Sequence, residues 1–487
     1  MTVQVHVKQS EVAVMKDLQE ILMDDDRGSS GITPEEISAA RHCMEFAISS
    51  GASQARVSVS KNVLNSVQLL NGEVDKVSRN ADRSLYMHLF VDGRYGTYST
   101  NRFCAEGTEA FILKAIERTR LLAPDNCRKL PDPSRYARNA ITGREPGLYD
   151  CSYEGISPED RISAALSGAI FGKTGKDGGY GIISEECEYS DSIDDCYMTD
   201  SQGFEGRHTE TSFSFWSELT IRDDKGDRYS GYWWTASPHR DRIRIRECSP
   251  AALSEAAAQI GAARREGGRF TMVVDSRCSS RLAAPLLNAL NGSAIQQKNS
   301  FLEGSAGQKI FPDELTISDR PWRKGHAGAR LFDTEGAATA ETDIIRNGRV
   351  EMYFINTYYS GMLGIPPTVD GPSIPVIRPF ISRSLAGGLE YGENDINLQT
   401  ILEAAGEGIL VTGFNGGNYN RATGYFSYGV EGFFFKDGKI AAPVKEMLIT
   451  GDMVSLWKSV IAAGSDAREG TRWQIPTLAF GNVDFSG

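Results

Sequence analysis

Four dipeptides constrain this chain more than anything else in it: Asn71-Gly72, Asp92-Gly93, Asn347-Gly348 and Asp437-Gly438. Each lies between residues that read as strand. A two-residue turn whose twist matches two antiparallel strands needs positive φ at both central positions. Asn or Asp followed by Gly adopts that geometry at little cost. Asn71-Gly72 is the strongest such signal, set between Val67–Leu70 and Val74–Val77. Asp92-Gly93 turns Leu85–Val91 back into Tyr95–Ser99, Asn347-Gly348 lies within Asp343–Phe354, and Asp437-Gly438 lies within Gly432–Val444. Antiparallel hairpins are therefore expected in both halves of the chain.

Helical period appears between them. Thr33 reads as an N-cap, Pro34 as the first helical residue and Glu36 as the partner in a capping box. Ile37, Ala40, Met44, Ala47 and Ile48 recur at helical spacing, and Gly51 suits the position after the helix. A second helix is predicted over Glu106–Leu122, closed by Pro124, and Ser157-Pro158-Glu159-Asp160 opens a third. Gly181–Glu188, Thr211–Ile221 and Arg228–Trp234 read as a meander. Ile21–Gly31 reads as a loop and Pro131–Tyr149 as a connection. Further on, the pattern predicts helices at Ala251–Arg264, Ser279–Leu290 and Asp452–Ala463, and a buried strand at Arg269–Asp275. The fold class is α+β. An N-terminal α+β domain with antiparallel hairpins is expected over 1–250, and a mainly antiparallel β domain with a few helices over 251–487.

Composition excludes several functions. Lys plus Arg is 52 and Asp plus Glu is 64, a net charge of −12. Binding a polyanion needs clustered basic residues, so direct contact with nucleic acid is not expected. The longest apolar runs, such as Gly408–Thr412 and Phe433–Phe435, fall far short of the roughly 20 residues that cross a bilayer. No basic segment followed by an apolar one opens the sequence. The 8 cysteines are dispersed and form no CxxC pair, which predicts reduced thiols in a cytoplasmic protein.

Several motifs that imitate catalytic sites fail on spacing. Gly168-Ala169-Ile170-Phe171-Gly172-Lys173-Thr174 has three residues between its glycines where a phosphate loop needs four, and a helix precedes it. Gly172 is read as a helix cap. Glu185, Glu186, Cys187, Glu188, Asp191, Asp194 and Asp195 lack the alternation and central glycine of a calcium loop, and read as a solvated strand face and turn. No Gly-x-Ser-x-Gly occurs. No two of the 6 histidines lie within a helical turn or two of each other, and none is followed by Glu, so a helical zinc site of the His-Glu type is absent. His326 lies in a loop with basic neighbours.

Taken in order, Gln68–Val77, Leu85–Val91, Asp92–Gly96 and Ser99–Asn101 resemble the N-terminal signature of the TldD/PmbA family, often labelled modulators of DNA gyrase. Arg330–Gly336, Ile345–Gly348 and Thr423–Phe433, followed by Asp437-Gly438 and Pro443–Lys445, are similar to its later blocks. The resemblance runs from about residue 35 to 485. It implies a peptidase built of two kinds of subunit that enclose an unfolded peptide. The TldD-like branch carries a His-Glu-x-x-x-His helix and a later Cys as metal ligands; the PmbA/TldE-like branch lacks them.

Here the corresponding stretch, Ser279–Leu290, has neither His nor Glu, and no cysteine follows Cys278. The resemblance therefore implies a non-catalytic subunit, with no catalytic or metal residues in this chain and zinc only in a partner. The expected partners are a TldD-like subunit or a second copy of this chain, together with an unfolded peptide. Pro285 fits poorly in a helix that must hold ligands in register. Asn415, Gly416, Gly417 and Arg421 are the expected substrate contacts, because glycines admit close backbone approach and Arg421, like Lys445, can meet a carboxylate. A stand-alone peptidase with another site, and a gyrase-interacting regulator, are the alternative readings.

Overall fold

The computed structural model describes residues 2–6, 30–103, 105–173 and 179–487. Most of the loop expected at Ile21–Gly31, together with Cys104 and Thr174, lies outside the described residues. The chain divides into two compact units. One is Met1–Ala258 with Arg323–Ala338; the other is Gln259–Trp322 with Thr339–Gly487. The α+β reading holds in both. All four Asn/Asp-Gly turns are present, with φ between 47° and 79° at their eight central residues.

The first unit is built on one antiparallel sheet. β1 (Thr2–His6), β2 (Gln54–Leu70), β3 (Glu73–Val91), β4 (Arg94–Thr100), β5 (Tyr180–Asp200), β6 (Glu205–Asp223) and β7 (Arg228–Ser237) run in the order β1-β3-β2-β5-β6-β7, with β4 on β3. The helices α1 (Pro34–Ser49), α2 (Ala105–Thr119), α3 (Pro158–Gly168) and α4 (Ile245–Ala258) cover one face. Val57, Val59, Val63 and Val67 of β2 are buried, while Ser58, Ser60, Asn62 and Leu64 alternate with them on the open face. The capping box at Thr33 and Glu36 forms as expected. Packing of α4 on β7 is close enough to require Gly231: a Cβ there would lie 2.1 Å from the carbonyl oxygen of Ala252.

Four expectations are corrected here. The short strands read from sequence are pieces of much longer ones, of 17, 19, 21 and 19 residues for β2, β3, β5 and β6. The acidic run holds no turn, and only its alternate members Glu186, Glu188 and Asp194 face outward. It lies within β5, and Glu185, Asp191 and Asp195 are each at most 1% exposed. Each is paired: Glu185 accepts from the backbone N–H groups of Ile170 and Phe171, Asp191 from Arg161, and Asp195 from Arg207 and Thr209. Buried carboxylates survive only with such partners. Gly172 does not cap α3; Ala169 does, in an extended conformation. Finally, α4 starts and ends six residues before the predicted helix, with Pro250 inside it.

The second unit holds β8 (Gly268–Val274), α5 (Ser280–Asn288), α6 (Gly292–Gln296), β9 (Ile317–Asp319), β10 (Thr342–Arg346), β11 (Arg349–Val350), α7 (Thr357–Leu363), β12 (Pro375–Ile377), β13 (Phe380–Ile381), α8 (Arg383–Ala386), α9 (Leu398–Ala405), β14 (Glu407–Tyr419), β15 (Tyr425–Lys436), β16 (Lys439–Asp452), α10 (Met453–Lys458), β17 (Val460–Ala463) and β18 (Leu478–Ser486). β8 is parallel to β14 and antiparallel to β18. With β15 and β16 between β14 and β18, these five strands close into a ring. Residues of β8 alternate between two cores: Met272 and Val274 pack with α5, and Val273 packs with Ile401 and Leu402 of α9. The last predicted helix, Asp452–Ala463, is only half a helix. Asp452 caps α10, and the apolar run Val460–Ala463 leaves it as β17.

Candidate functional site

β8 delivers the chain to α5 through a tight turn. The carbonyl of Asp275 accepts the N–H groups of Cys278 and Ser279, and its carboxylate holds Arg277 at 2.9 Å. α5 then buries Leu282, Ala283, Leu286 and Leu287. Spacing of four and three residues puts Arg281, Pro285 and Asn288 on a second face. Pro285 sits inside the helix, where its missing N–H leaves the Arg281 carbonyl without its usual helical partner.

That face runs past the end of β14. The register of β14 against β15 slips between Asn415 and Asn418, and the slip places Gly416 and Gly417 at φ of +72° and +89°. Arg281 Nη2 donates to the Gly417 carbonyl at 3.4 Å, and its guanidinium lies 5.3 Å from the Tyr428 ring centroid, within cation–π range. The following turn is tied by Asn420, whose side-chain oxygen accepts from Ala422 and Thr423 at 2.9 and 3.1 Å. The Arg421 carbonyl accepts from Phe301 N–H at 3.2 Å.

Between these parts lies a cavity of about 270 Å³. Pro285 and Asn288 of α5, with the capping Ala289, line one side; Asn291, Ser293, Ala294 and Gln297 line a second. Asn299, Phe301, Tyr419 and Arg421 complete it. No carboxylate, imidazole or thiol is among them. The wall offers one cation, several amides and two aromatic rings, so it can bind but has no general acid or base near neutral pH.

Of the residues expected from sequence, Arg421 stands on this cavity, and Gly417 is joined by its carbonyl to the first turn of α5. Asn415 and Gly416 do not line it. Asn415 donates to Glu431 at 2.8 Å, and Gly416 faces open space. Lys445 is exposed on β16. Sequence reasoning missed Asn288, Gln297, Asn299 and Tyr419. The run of amide residues between Asn288 and Asn299, directly after an apolar helix, was the available signal.

The donor set does not fit a zinc ion of the kind that the TldD-like branch carries. No histidine falls in the second unit. Its one cysteine, Cys278, is packed against the carbonyls of Asp275 and Val411. Burial and then the Asp275 charge push its thiol far up, against the thiolate a metal needs. Among the described residues no group of three His, Cys, Asp or Glu side chains is placed to hold a metal. The Arg330–Gly336 block has a structural task in the first unit. Asp333 accepts from the N–H groups of Glu335 and Ala337, and Arg56 donates to the Glu335 carbonyl at 2.7 Å.

Residues 267–487 match the PmbA/TldA metallopeptidase C-terminal domain, and residues 55–121 match PmbA/TldA metallopeptidase domain 1. A protein of known structure from Bacteroides thetaiotaomicron, labelled a modulator of DNA gyrase, is 39% identical; the match covers 94% of this chain and 100% of that one, with a TM-score of 0.85. Metalloprotease PmbA of Escherichia coli O157:H7 is 25% identical over 470 residues, covering 93% of this chain and 98% of its own. TldE from Thermococcus kodakarensis shares the fold, with a TM-score of 0.76 at 17% identity over 92% of this chain and 100% of its own. The chain belongs to the PmbA/TldD metallopeptidase family.

Proposed function

We propose that this chain is the non-catalytic subunit of a two-chain peptidase of the TldD/TldE type, acting on unfolded peptides in the cytoplasm. One observation carries the reading. The stretch that matches the metallopeptidase C-terminal domain, 267–487, has one histidine, His326, and one cysteine, the partly buried Cys278, too few to supply the His-Glu-x-x-x-His helix and later cysteine of the TldD-like branch. None of the described cysteines is in a disulfide, which suits a reducing compartment. No described helix is long and apolar enough to cross a membrane. The partner is a metal-binding TldD-like chain, or a second copy of this one where no such chain exists. Asn415, Gly416, Gly417 and Arg421 are the proposed contacts with the peptide, through main-chain hydrogen bonds and the Arg421 charge.

The test is to purify the chain, measure its metal content and assay it on an unfolded protein, alone and mixed with a TldD-like chain. The expected result is no stoichiometric zinc, no cleavage alone, and cleavage in the mixture. One tightly held zinc per chain, or proteolysis by the chain alone, would overturn the proposal.

A further inference from the structure

We infer that the cavity beside α5 is a receptor for the free α-carboxylate at the end of a peptide. The inference deepens the peptide-handling role proposed above and rests on it for the choice of ligand; the carboxylate is argued from the cavity alone. Arg421 makes no ion pair among the described residues, and its side chain has no hydrogen bond there. Its backbone is nevertheless fixed, by the turn that Asn420 ties and by the Phe301 N–H. A guanidinium on an ordered turn loses less freedom on meeting a carboxylate than one on a floppy loop, and its fork matches the two carboxylate oxygens.

The rest of the wall supports that ligand. The primary amides of Asn288, Gln297 and Asn299 make no hydrogen bonds within the described chain. They can donate to a carboxylate and accept from the peptide N–H beside it. Phe301 and Tyr419, with Pro285, Ala289 and Ala294, give an apolar surface for one side chain. No acidic residue lines the cavity to receive an amino terminus or to repel an acid. Its volume of about 270 Å³ lies just under the usual range of ligand cavities, roughly 300–1,000 Å³. That suits a single terminal residue, whereas an internal acidic side chain would need room for chain on both sides.

The experiment uses the full chain without a partner, and the probes are N-acetyl-Gly-Ala-Leu with a free carboxylate and the same tripeptide as its C-terminal amide. Calorimetry should show binding of the acid only. Arg421→Gln, on an exposed side chain, should leave the melting temperature unchanged and weaken binding by about tenfold or more, as loss of a charge-assisted pair predicts. Asn288→Leu should weaken it less. Equal binding of acid and amide would overturn the inference, as would unchanged affinity in Arg421→Gln. An amidated peptide with an internal Glu that binds as well as the free acid would overturn the terminal assignment too. Because no partner is present, these results are independent of whether the mixed complex cleaves.

Discussion

Arg161 and Asp191 form a two-bond fork beneath the N-terminal sheet. Nε donates to one carboxylate oxygen at 2.7 Å and Nη2 to the other at 3.0 Å, with the two side chains 11% and 0% exposed. Asn65 adds a third bond to Asp191 at 2.9 Å, and the spare guanidinium nitrogen reaches the Ile156 carbonyl at 2.7 Å. The fork ties α3 to β5. Removing one member would strand a buried charge, which costs about 3–5 kcal/mol. Arg161→Met should lower the stability of the first unit by that order in urea denaturation. Arg120→Met, which breaks an ion pair with side chains 48% and 60% exposed, should cost no more than about 1 kcal/mol. Equal midpoints for the two variants would refute the distinction.

The same carboxylates explain where the sequence was legible and where it was not. Turns and caps depend on one or two residues acting locally, so Asn71-Gly72 and the Thr33–Glu36 box could be read directly. Strand length in β5 could not, because Glu185, Asp191 and Asp195 occupy buried positions and break the apolar alternation that marks a strand. Their partners, Arg161, Arg207 and the N–H groups after α3, come from elsewhere in the chain. α4 was misplaced because alanines after Ala258 carry helix propensity without burial to hold them, whereas Cys248, Ala252 and Ala256 pack on the sheet. Arg421 was legible as a cation near glycines. Its cavity was not, since its walls meet only when α5, α6 and the β14–β15 turn are assembled.

His88 sets an acid limit on the first unit. Its Nδ1 lies 2.7 Å from the Tyr95 hydroxyl. Burial, with the charges of Arg56 and Arg128 after it, pushes its pKa down to about 4. The unfolded chain, titrating near 6.5, takes up the proton first. The contribution to stability is therefore complete above about pH 6.5, falls as pH drops towards 4, and is constant below that. The stability difference between wild type and His88→Gln should change across this window and be flat above it. In a proton NMR titration the His88 ring should shift near pH 4; a midpoint near 6.5 would show that it is not shielded as described.

Gly416 and Gly417 look alike in sequence but carry different constraints. Both have positive φ, and a Cβ at Gly416 meets nothing within 4 Å. Gly416→Ala should cost only the left-handed backbone strain, about 1–2 kcal/mol, and Gly416→Asn less. At Gly417 a Cβ would lie 2.2 Å from the Ser427 carbonyl oxygen and 2.7 Å from the Tyr428 Cα. These are backbone atoms of β15, and they cannot turn aside as a flexible side chain can. Gly417→Ala should add the cost of moving a strand, a further ~1–3 kcal/mol, and pull the Gly417 carbonyl from Arg281. Thermal melts of the two alanine variants separate the effects, with the lower melting temperature expected for Gly417→Ala. Equal melts would mean that β14 and β15 tolerate a methyl group at this slip in register. The glycine would then be there to admit a ligand rather than the chain's own neighbouring strand.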